Sequence, residues 1–186
     1  MMKVNAVDRV QVAQIEQVLR RNKQDTYADI WRLNLNLALR ISDLLALTFE
    51  DVQANTLRIT ETKTGKVKQF PINDAARAII EKRRKSNSED IYLFQSKSNR
   101  VKAQASPVAR EGVSRAFKEA GLEVCGDSRN IGTHSARKTR ARIIYEETKD
   151  IALVSKMLNH SSIKVTEIYL DITQDDVNNS YHTYQI

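Results

Sequence analysis

The feature that most constrains the fold is a change of hydrophobic period in the middle of the chain. Residues 56–60 (TLRIT) and 67–72 (VKQFPI) alternate apolar and polar side chains, as short strands do. Gly65 falls in the segment between them and suits a tight turn. The pattern predicts an antiparallel hairpin with Lys63 and Lys66 near its tip.

The sequence on either side of this hairpin favours helices. Val12, Ile15 and Leu19 recur at helical spacing within residues 8–21. The leucine-rich segment 25–40 alternates in part, but its length favours a buried helix, which we expect to continue through ISDLLAL (41–47). The expected fold is α+β and mainly α-helical: a helical bundle with a small antiparallel β-sheet.

Length and composition predict one domain. The 186 residues contain no evident domain boundary, so we interpret 1–186 as a single domain with a helix and linker at 1–24. No apolar run is long enough to cross a bilayer, no signal peptide opens the chain, and Cys125 is the only cysteine. These features predict a cytoplasmic protein with no membrane partner.

The charge distribution indicates an anionic partner. The net charge is +7, and two basic patches occur at 81–85 (EKRRK) and 137–142 (RKTRAR). Nucleic acid is the common partner of such a protein, although many basic proteins bind none. The predicted DNA contacts are Lys66, Arg83, Arg84, Lys138 and Arg140. The tail, 171–186, contains three aspartates and no lysine or arginine, which favours contact with protein.

Several basic residues are candidates for a phosphate site. His134 and Arg137 lie three residues apart at the start of a predicted helix, where backbone N–H groups favour anions. Arg40 lies among leucines and needs a partner, which Asp43 one turn later can supply. Each candidate has an ordinary alternative. His134 and Arg137 can belong to a solvated basic helix, Arg40 can form a structural ion pair, and Lys63 can be a solvated turn lysine.

One further segment, LNHSSIKVTEIYL (158–170), contains His160 and Tyr169. Asn159 suits the left-handed residue that ends a helix. Taken alone, Tyr169 is most simply a packing aromatic.

The order of these motifs resembles the tyrosine recombinase (phage integrase) family. The resemblance runs from about residue 37 to residue 169 and rests on ALRISDLLAL, KTG, H-x-x-R and LNHSS followed by Tyr169. It implies that Tyr169 is the nucleophile forming a 3′-phosphotyrosine link. The scissile phosphate would be contacted by Arg40, Arg137, His134 and His160. Lys63 would protonate the leaving 5′ oxygen, and Asp43 would support the site.

The residue chemistry agrees with these implied roles. Phenol has a pKa near 10, so a tyrosine needs nearby cations to attack at neutral pH. No cofactor or metal is expected, and the alternative that His134 and His160 bind zinc lacks ligands at suitable spacing. Departures from the family are Ala38 in place of a common glycine and Lys138 in place of a common histidine. Lys66 is a rival to Lys63, and Tyr181 and Tyr184 are rivals to Tyr169.

The resemblance also implies the partners. Members act on double-stranded DNA as tetramers on two duplexes; without DNA this chain is expected to be monomeric. The family's N-terminal core-binding domain is expected to be absent, which predicts weak and salt-sensitive DNA binding. The expected activity is site-specific recombination by integration, excision or inversion. The alternatives are type IB topoisomerase-like relaxation, a non-catalytic DNA-binding protein of the same fold, and a basic RNA-binding protein, for which aromatic residues are few.

Overall fold

The computed structural model describes residues 4–98 and 104–183, and it divides the chain after Arg140 into two compact units. Unit 1 comprises the residues up to Arg140 and unit 2 those from Ala141 onward. The described residues are mainly helical with a small antiparallel sheet, which confirms the predicted fold class.

Unit 1 contains the hairpin and most of the helices. Its elements are α1 (Arg9–Arg21), α2 (Asp25–Leu37), α3 (Ile41–Leu45), β1 (Thr56–Thr60), β2 (Val67–Pro71), α4 (Asp74–Ser86), α5 (Arg110–Cys125) with a 3₁₀ turn (Gly126–Ser128), and the first part of α6 (Ser135–Thr148). At the core, the rings of Trp31 on α2 and Phe117 on α5 meet edge to face at 5.2 Å. The Trp31 indole N–H donates to the carbonyl of Val12 on α1. These contacts join α1, α2 and α5.

The hairpin forms where the change of period predicts it. β1 and β2 pair antiparallel, with Leu57 opposite Phe70 and Ile59 opposite Lys68. Gly65 adopts a φ of 66°, which an L side chain rarely tolerates, so the turn depends on this glycine.

The continuous helix expected over 25–47 is wrong, because α2 ends at Leu37. Ala38 is left-handed, with φ 50° and ψ 43°, and its N–H donates to the carbonyl of Asn34. The Asn34 side chain then accepts a hydrogen bond from the N–H of Leu39 at 2.9 Å. This turn makes Arg40 the N-cap residue of α3 rather than an interior helical residue. A left-handed residue at 38 also explains why glycine suits this position.

Unit 2 contains the rest of α6 and three further helices. These are α7 (Ile151–Leu158), α8 (Ile163–Leu170) and α9 (Gln174–Thr183). The Asp150 side chain caps α7 by accepting a hydrogen bond from the N–H of Leu153 at 2.8 Å. Asn159 is left-handed at the end of α7, as predicted. None of the helices within the described ranges is long and apolar enough to cross a membrane.

Candidate active site

Arg40 is held by an acidic residue that the sequence did not indicate. Its guanidinium lies 2.6 Å from a carboxylate oxygen of Glu61, whose side chain is fully buried at the end of β1. Burial raises the pKa of Glu61, but hydrogen bonds from Arg40 and Thr64 and the nearby charges of Arg40 and Arg137 outweigh it, so the pKa is lowered. The carboxylate is therefore ionised, and it fixes Arg40 against the hairpin. The sequence pattern missed Glu61 because the residue is distant from Arg40 along the chain.

Asp43, the partner expected for Arg40, instead supports the hairpin turn. It is buried, and its carboxylate accepts a hydrogen bond from the backbone N–H of Thr62 at 3.0 Å. The backbone of Glu61 completes the turn, because its carbonyl accepts from the N–H of Gly65 at 2.8 Å. The turn that carries Lys63 is thus attached at its base by two acidic residues.

The side chain of Arg137 reaches the turn that precedes Arg40. Arg137 is buried, and its guanidinium donates to the carbonyl of Ala38 at 2.9 Å. A second α6 arginine makes a similar contact one turn away, since Arg140 donates to the carbonyl of Leu35 at 3.1 Å. Two guanidinium groups from α6 therefore bind the C-terminal end of α2, where the last backbone carbonyls of the helix have no intrahelical partner.

His134 lies among the cations of unit 1. Burial lowers its pKa, and the charges of Arg137, Arg110, Arg40 and Lys63 lower it further. A histidine with a lowered pKa is neutral at pH 7 and can accept a proton. The structure thus brings together Arg40, Lys63 and Arg137 around His134, all four of them candidates from the sequence. It adds Arg110 at the start of α5, which the sequence analysis did not single out.

Lys68 is another cation that the sequence analysis missed. It lies on β2, its side chain is buried, and burial together with the charges of Arg137, Arg140 and Arg40 lowers its pKa to about 8, although Glu61 acts in the opposite direction. The sequence VKQFPI could have indicated this, because Lys68 and Phe70 are two residues apart and therefore lie on the same, apolar face of the predicted strand.

Unit 2 contains the two remaining candidates side by side. The rings of His160 and Tyr169 are 5.3 Å apart and nearly perpendicular, at 77°. His160 Nδ1 lies 2.9 Å from the hydroxyl of the buried Thr166, one turn before Tyr169 on α8. The left-handed Asn159 ends α7 immediately before His160. The turn and the start of α8 therefore place the imidazole next to the tyrosine ring.

Two of the residues expected to contact DNA are engaged within unit 1. Arg83 is buried, burial lowers its pKa, and it donates to the carbonyl of Leu93 at 3.2 Å. The guanidinium of Arg84 lies 4.1 Å from the ring centroid of Phe49 and donates to the carbonyl of Ser88 at 3.0 Å. These contacts hold both guanidinium groups against unit 1, with Arg83 buried and Arg84 exposed.

The other expected DNA contacts differ in exposure. Lys66 is exposed on the hairpin turn, where a phosphate can reach it. Lys138 is buried on α6. Arg140 is half-buried, and burial lowers its pKa. The rival Tyr181 is 78% exposed on α9, whereas Tyr184 lies outside the described residues.

Comparison with known proteins assigns the class. The profile of the Phage integrase family matches residues 6–175, which is most of the chain. The chain therefore belongs to the phage integrase family, the tyrosine recombinases, which are enzymes that break and rejoin DNA.

Individual relatives agree with this assignment. The chain is 35% identical over 182 residues to the probable integrase/recombinase YoeC of Bacillus subtilis, covering 97% of this chain and 95% of that protein. It is 27% identical over 180 residues to the tyrosine recombinase XerA of Saccharolobus solfataricus, covering 96% of this chain but 56% of XerA. The crystal structure of a lambda integrase tetramer bound to a Holliday junction shares the fold, with a TM-score of 0.72, 17% identity and coverage of 91% of this chain and 48% of that one. The chain thus spans nearly all of YoeC and about half of the two others.

Proposed function

We propose that this chain is a site-specific DNA recombinase in which Tyr169 attacks the scissile phosphate to form a 3′-phosphotyrosine intermediate. Strand exchange and religation follow, giving integration, excision or inversion. The observation that carries the proposal is the convergence of Arg40, Lys63 and Arg137 on His134 in unit 1, where burial first and then these charges lower the histidine pKa. Residues so far apart in sequence meet where a phosphate needs cations.

Each group has a role that its surroundings support. Arg40 and Arg137 hold the phosphate and offset the negative charge that develops on its oxygens. Both guanidinium groups are already oriented by protein contacts, Arg40 by Glu61 and Arg137 by the carbonyl of Ala38. Little reorganisation is then needed as the charge develops.

Proton transfer is assigned to His134 and Lys63. His134 is neutral at pH 7 because of its lowered pKa, so it can accept a proton from the attacking hydroxyl. Lys63 is exposed on the hairpin turn and can donate a proton to the leaving 5′ oxygen. We prefer Lys63 to Lys66 as the donor because Lys63 is one of the cations that act on His134.

Unit 2 supplies the nucleophile and a hydrogen-bond donor. The Thr166 hydroxyl can donate to His160 Nδ1, which places the ring proton on Nε2. His160 is then a donor for a phosphate oxygen, beside the Tyr169 ring. We propose that Tyr169 acts on a phosphate held by Arg40 and Arg137, in the same copy or in a neighbouring one.

The proposed partner is double-stranded DNA, bound by a homotetramer on two duplexes. The net charge of +7 supports an anionic partner. Lys66, Lys138 and Arg140 are the proposed further DNA contacts, with Lys66 the most exposed of them. We propose that residues 1–186 act as one catalytic domain.

The test is the formation of a covalent adduct. Nicked duplexes with a randomised central segment are incubated with the protein and resolved on a denaturing gel, and trapped DNA is sequenced. We expect a protein–DNA band that disappears in Tyr169→Phe and persists in Tyr181→Phe, the matched exposed tyrosine. No adduct from the wild-type protein, or an adduct retained by Tyr169→Phe, contradicts the proposal. Adding a second duplex carrying the recovered site then separates strand exchange from simple relaxation.

A further inference from the structure

Lys68 breaks the alternation of its strand. The register places Ile59 opposite Lys68 and Leu57 opposite Phe70, so these four residues share one face of the hairpin. That face is the buried one, and Lys68 is only 8% exposed. The amine lies 4.5 Å from the ring centroid of Phe70. A lysine at an inward-facing strand position contradicts the local pattern, and such exceptions are concentrated at functional sites.

The charged groups around the amine do not favour its protonated form. Those facing it are Arg137 and Arg140 on α6, Arg40 before α3 and Glu61 at the end of β1. The single carboxylate among them already pairs with Arg40 at 2.6 Å. Within the described residues, Lys68 Nζ has no hydrogen-bond partner. Burial first, and then the neighbouring guanidinium charges, lower the pKa of Lys68 to about 8.

We propose that Lys68 is a further anion-binding residue of this cluster of cations, and that its amine takes up a proton from solvent when a phosphodiester binds to the cluster. The inference rests on the proposed function, because Arg40 and Arg137 are the groups assigned there to the phosphate. A bound phosphate brings a negative charge to a cluster of cations. It offsets the repulsion on the ammonium form of Lys68 and offers it an acceptor. The pKa of Lys68 therefore rises when the anion binds.

The pKa of Lys68 in the anion-free protein sets the pH range in which anion binding is coupled to proton uptake. Well below pH 8 the amine is protonated with or without the anion, so binding takes up no proton. Above pH 8 the Lys68 amine of the anion-free protein loses its proton, and anion binding must restore it. Affinity for the anion therefore falls as the pH rises through the pKa of the free protein. Lys68 differs in this from the two arginines, which remain charged throughout.

The experiment follows the lysine side chains directly. The full chain is labelled with ¹³C at lysine Cε, and its NMR spectrum is recorded against pH with and without sulfate. Sulfate is the probe because its charge does not change over this range. The Lys68 signal is the one absent in Lys68→Met. We expect a midpoint near pH 8 without sulfate, and a rise of about one unit or more with saturating sulfate.

Binding measurements supply the control. Sulfate affinity of the wild-type protein should fall about fivefold or more between pH 8 and pH 10, whereas that of Lys68→Met should be weaker at pH 7 and flatter with pH. Lys85→Met, which removes an exposed lysine on α4, should behave as wild type. If Lys68→Met does not fold, Lys68→Arg provides the assignment and the wild-type titration decides.

Two results would overturn the inference. One is a Lys68 midpoint near that of an ordinary lysine in the free protein. The other is a midpoint that sulfate leaves unchanged. Neither measurement requires DNA cleavage, so failure here is distinguishable from failure of the Tyr169 adduct experiment.

Discussion

At the scale of single residues, Asp29 on α2 shows most clearly how unit 1 compensates a buried charge. Asp29 is 1% exposed. Its carboxylate accepts from Arg20 on α1 and from Lys82 on α4, each at 3.0 Å, and Arg83 lies 3.9 Å away. Burial lowers the pKa of Arg20, but hydrogen bonds to Glu16 and Asp29 outweigh this and raise it. One carboxylate therefore ties three helices together.

Replacing Asp29 should destabilise the protein strongly. Asp29→Asn leaves the buried Arg83 and the partly exposed Arg20 and Lys82 without their shared anion, and we expect a loss of about 3 kcal/mol in the free energy of unfolding, measured by urea denaturation. Asp25→Asn is the matched control, since Asp25 also pairs with Arg20, at 3.2 Å, but is 68% exposed. Its cost should stay below about 1 kcal/mol. Similar losses in the two variants would show that the buried position of Asp29 is unimportant.

At the scale of secondary-structure elements, the hairpin is attached to α3 by acidic side chains. Glu61 binds Arg40 through its carboxylate and closes the turn through its backbone, while Asp43 holds the N–H of Thr62. The Thr64 hydroxyl also donates to the Glu61 carboxylate at 2.7 Å. The position of Lys63 therefore depends on the same carboxylate that orients Arg40.

Removing the charge of Glu61 should make the stability of the protein depend more strongly on anions. In Glu61→Gln, Arg40 loses the carboxylate with which it forms an ion pair, so Tm should fall. Sulfate should raise Tm more in the variant than in the wild type, because a bound anion replaces the lost charge. Glu50→Gln, an exposed residue that follows α3, should match wild type. An equal response to sulfate in Glu61→Gln and wild type would contradict this role.

The contribution of Glu61, which pairs with Arg40, to the stability of the protein should decrease in acid. The pKa of Glu61 is lowered in the folded protein, so its contribution is present above the unfolded pKa of about 4.3 and is lost as the pH falls through the folded value. The stability difference between wild type and Glu61→Gln should therefore shrink in acid.

At the scale of the whole molecule, charge is distributed unevenly along the chain. The net charge is +7, yet residues 171–186 contain three aspartates and no lysine or arginine. Within this segment, α9 carries Tyr181 with 78% of its surface exposed. An acidic helix with an exposed aromatic residue suits contact with a protein surface better than contact with phosphate.

Removing the tail should therefore impair assembly more than DNA contact. We expect a chain truncated before Thr173 to bind a single duplex nearly as well as wild type but to form fewer higher-order complexes, as measured by native gel and light scattering. Tyr181→Ala should reproduce part of this loss without shortening the chain. Equal loss of DNA binding and assembly would count against a docking role for the tail.

Much of the fold and of the candidate site can be predicted from local pattern. The hairpin at 56–72 follows from alternation around a glycine, and the left-handed Asn159 follows from its place after an apolar helix. The break at Ala38 was missed because leucines continue on both sides of it, while the turn is held by the Asn34 side chain and by Arg137. Such contacts leave no periodic signal in the sequence.

The sequence by itself determined the class of protein and the order of its motifs, since residue types at characteristic separations are local information. Only the tertiary structure decided which charges are buried and which partners they have. It paired Arg40 with Glu61, engaged Arg83 within the protein and placed Lys68 among three guanidinium groups. The physical reason is that burial and Coulomb interactions depend on distances in space, which packing sets between residues far apart in the chain.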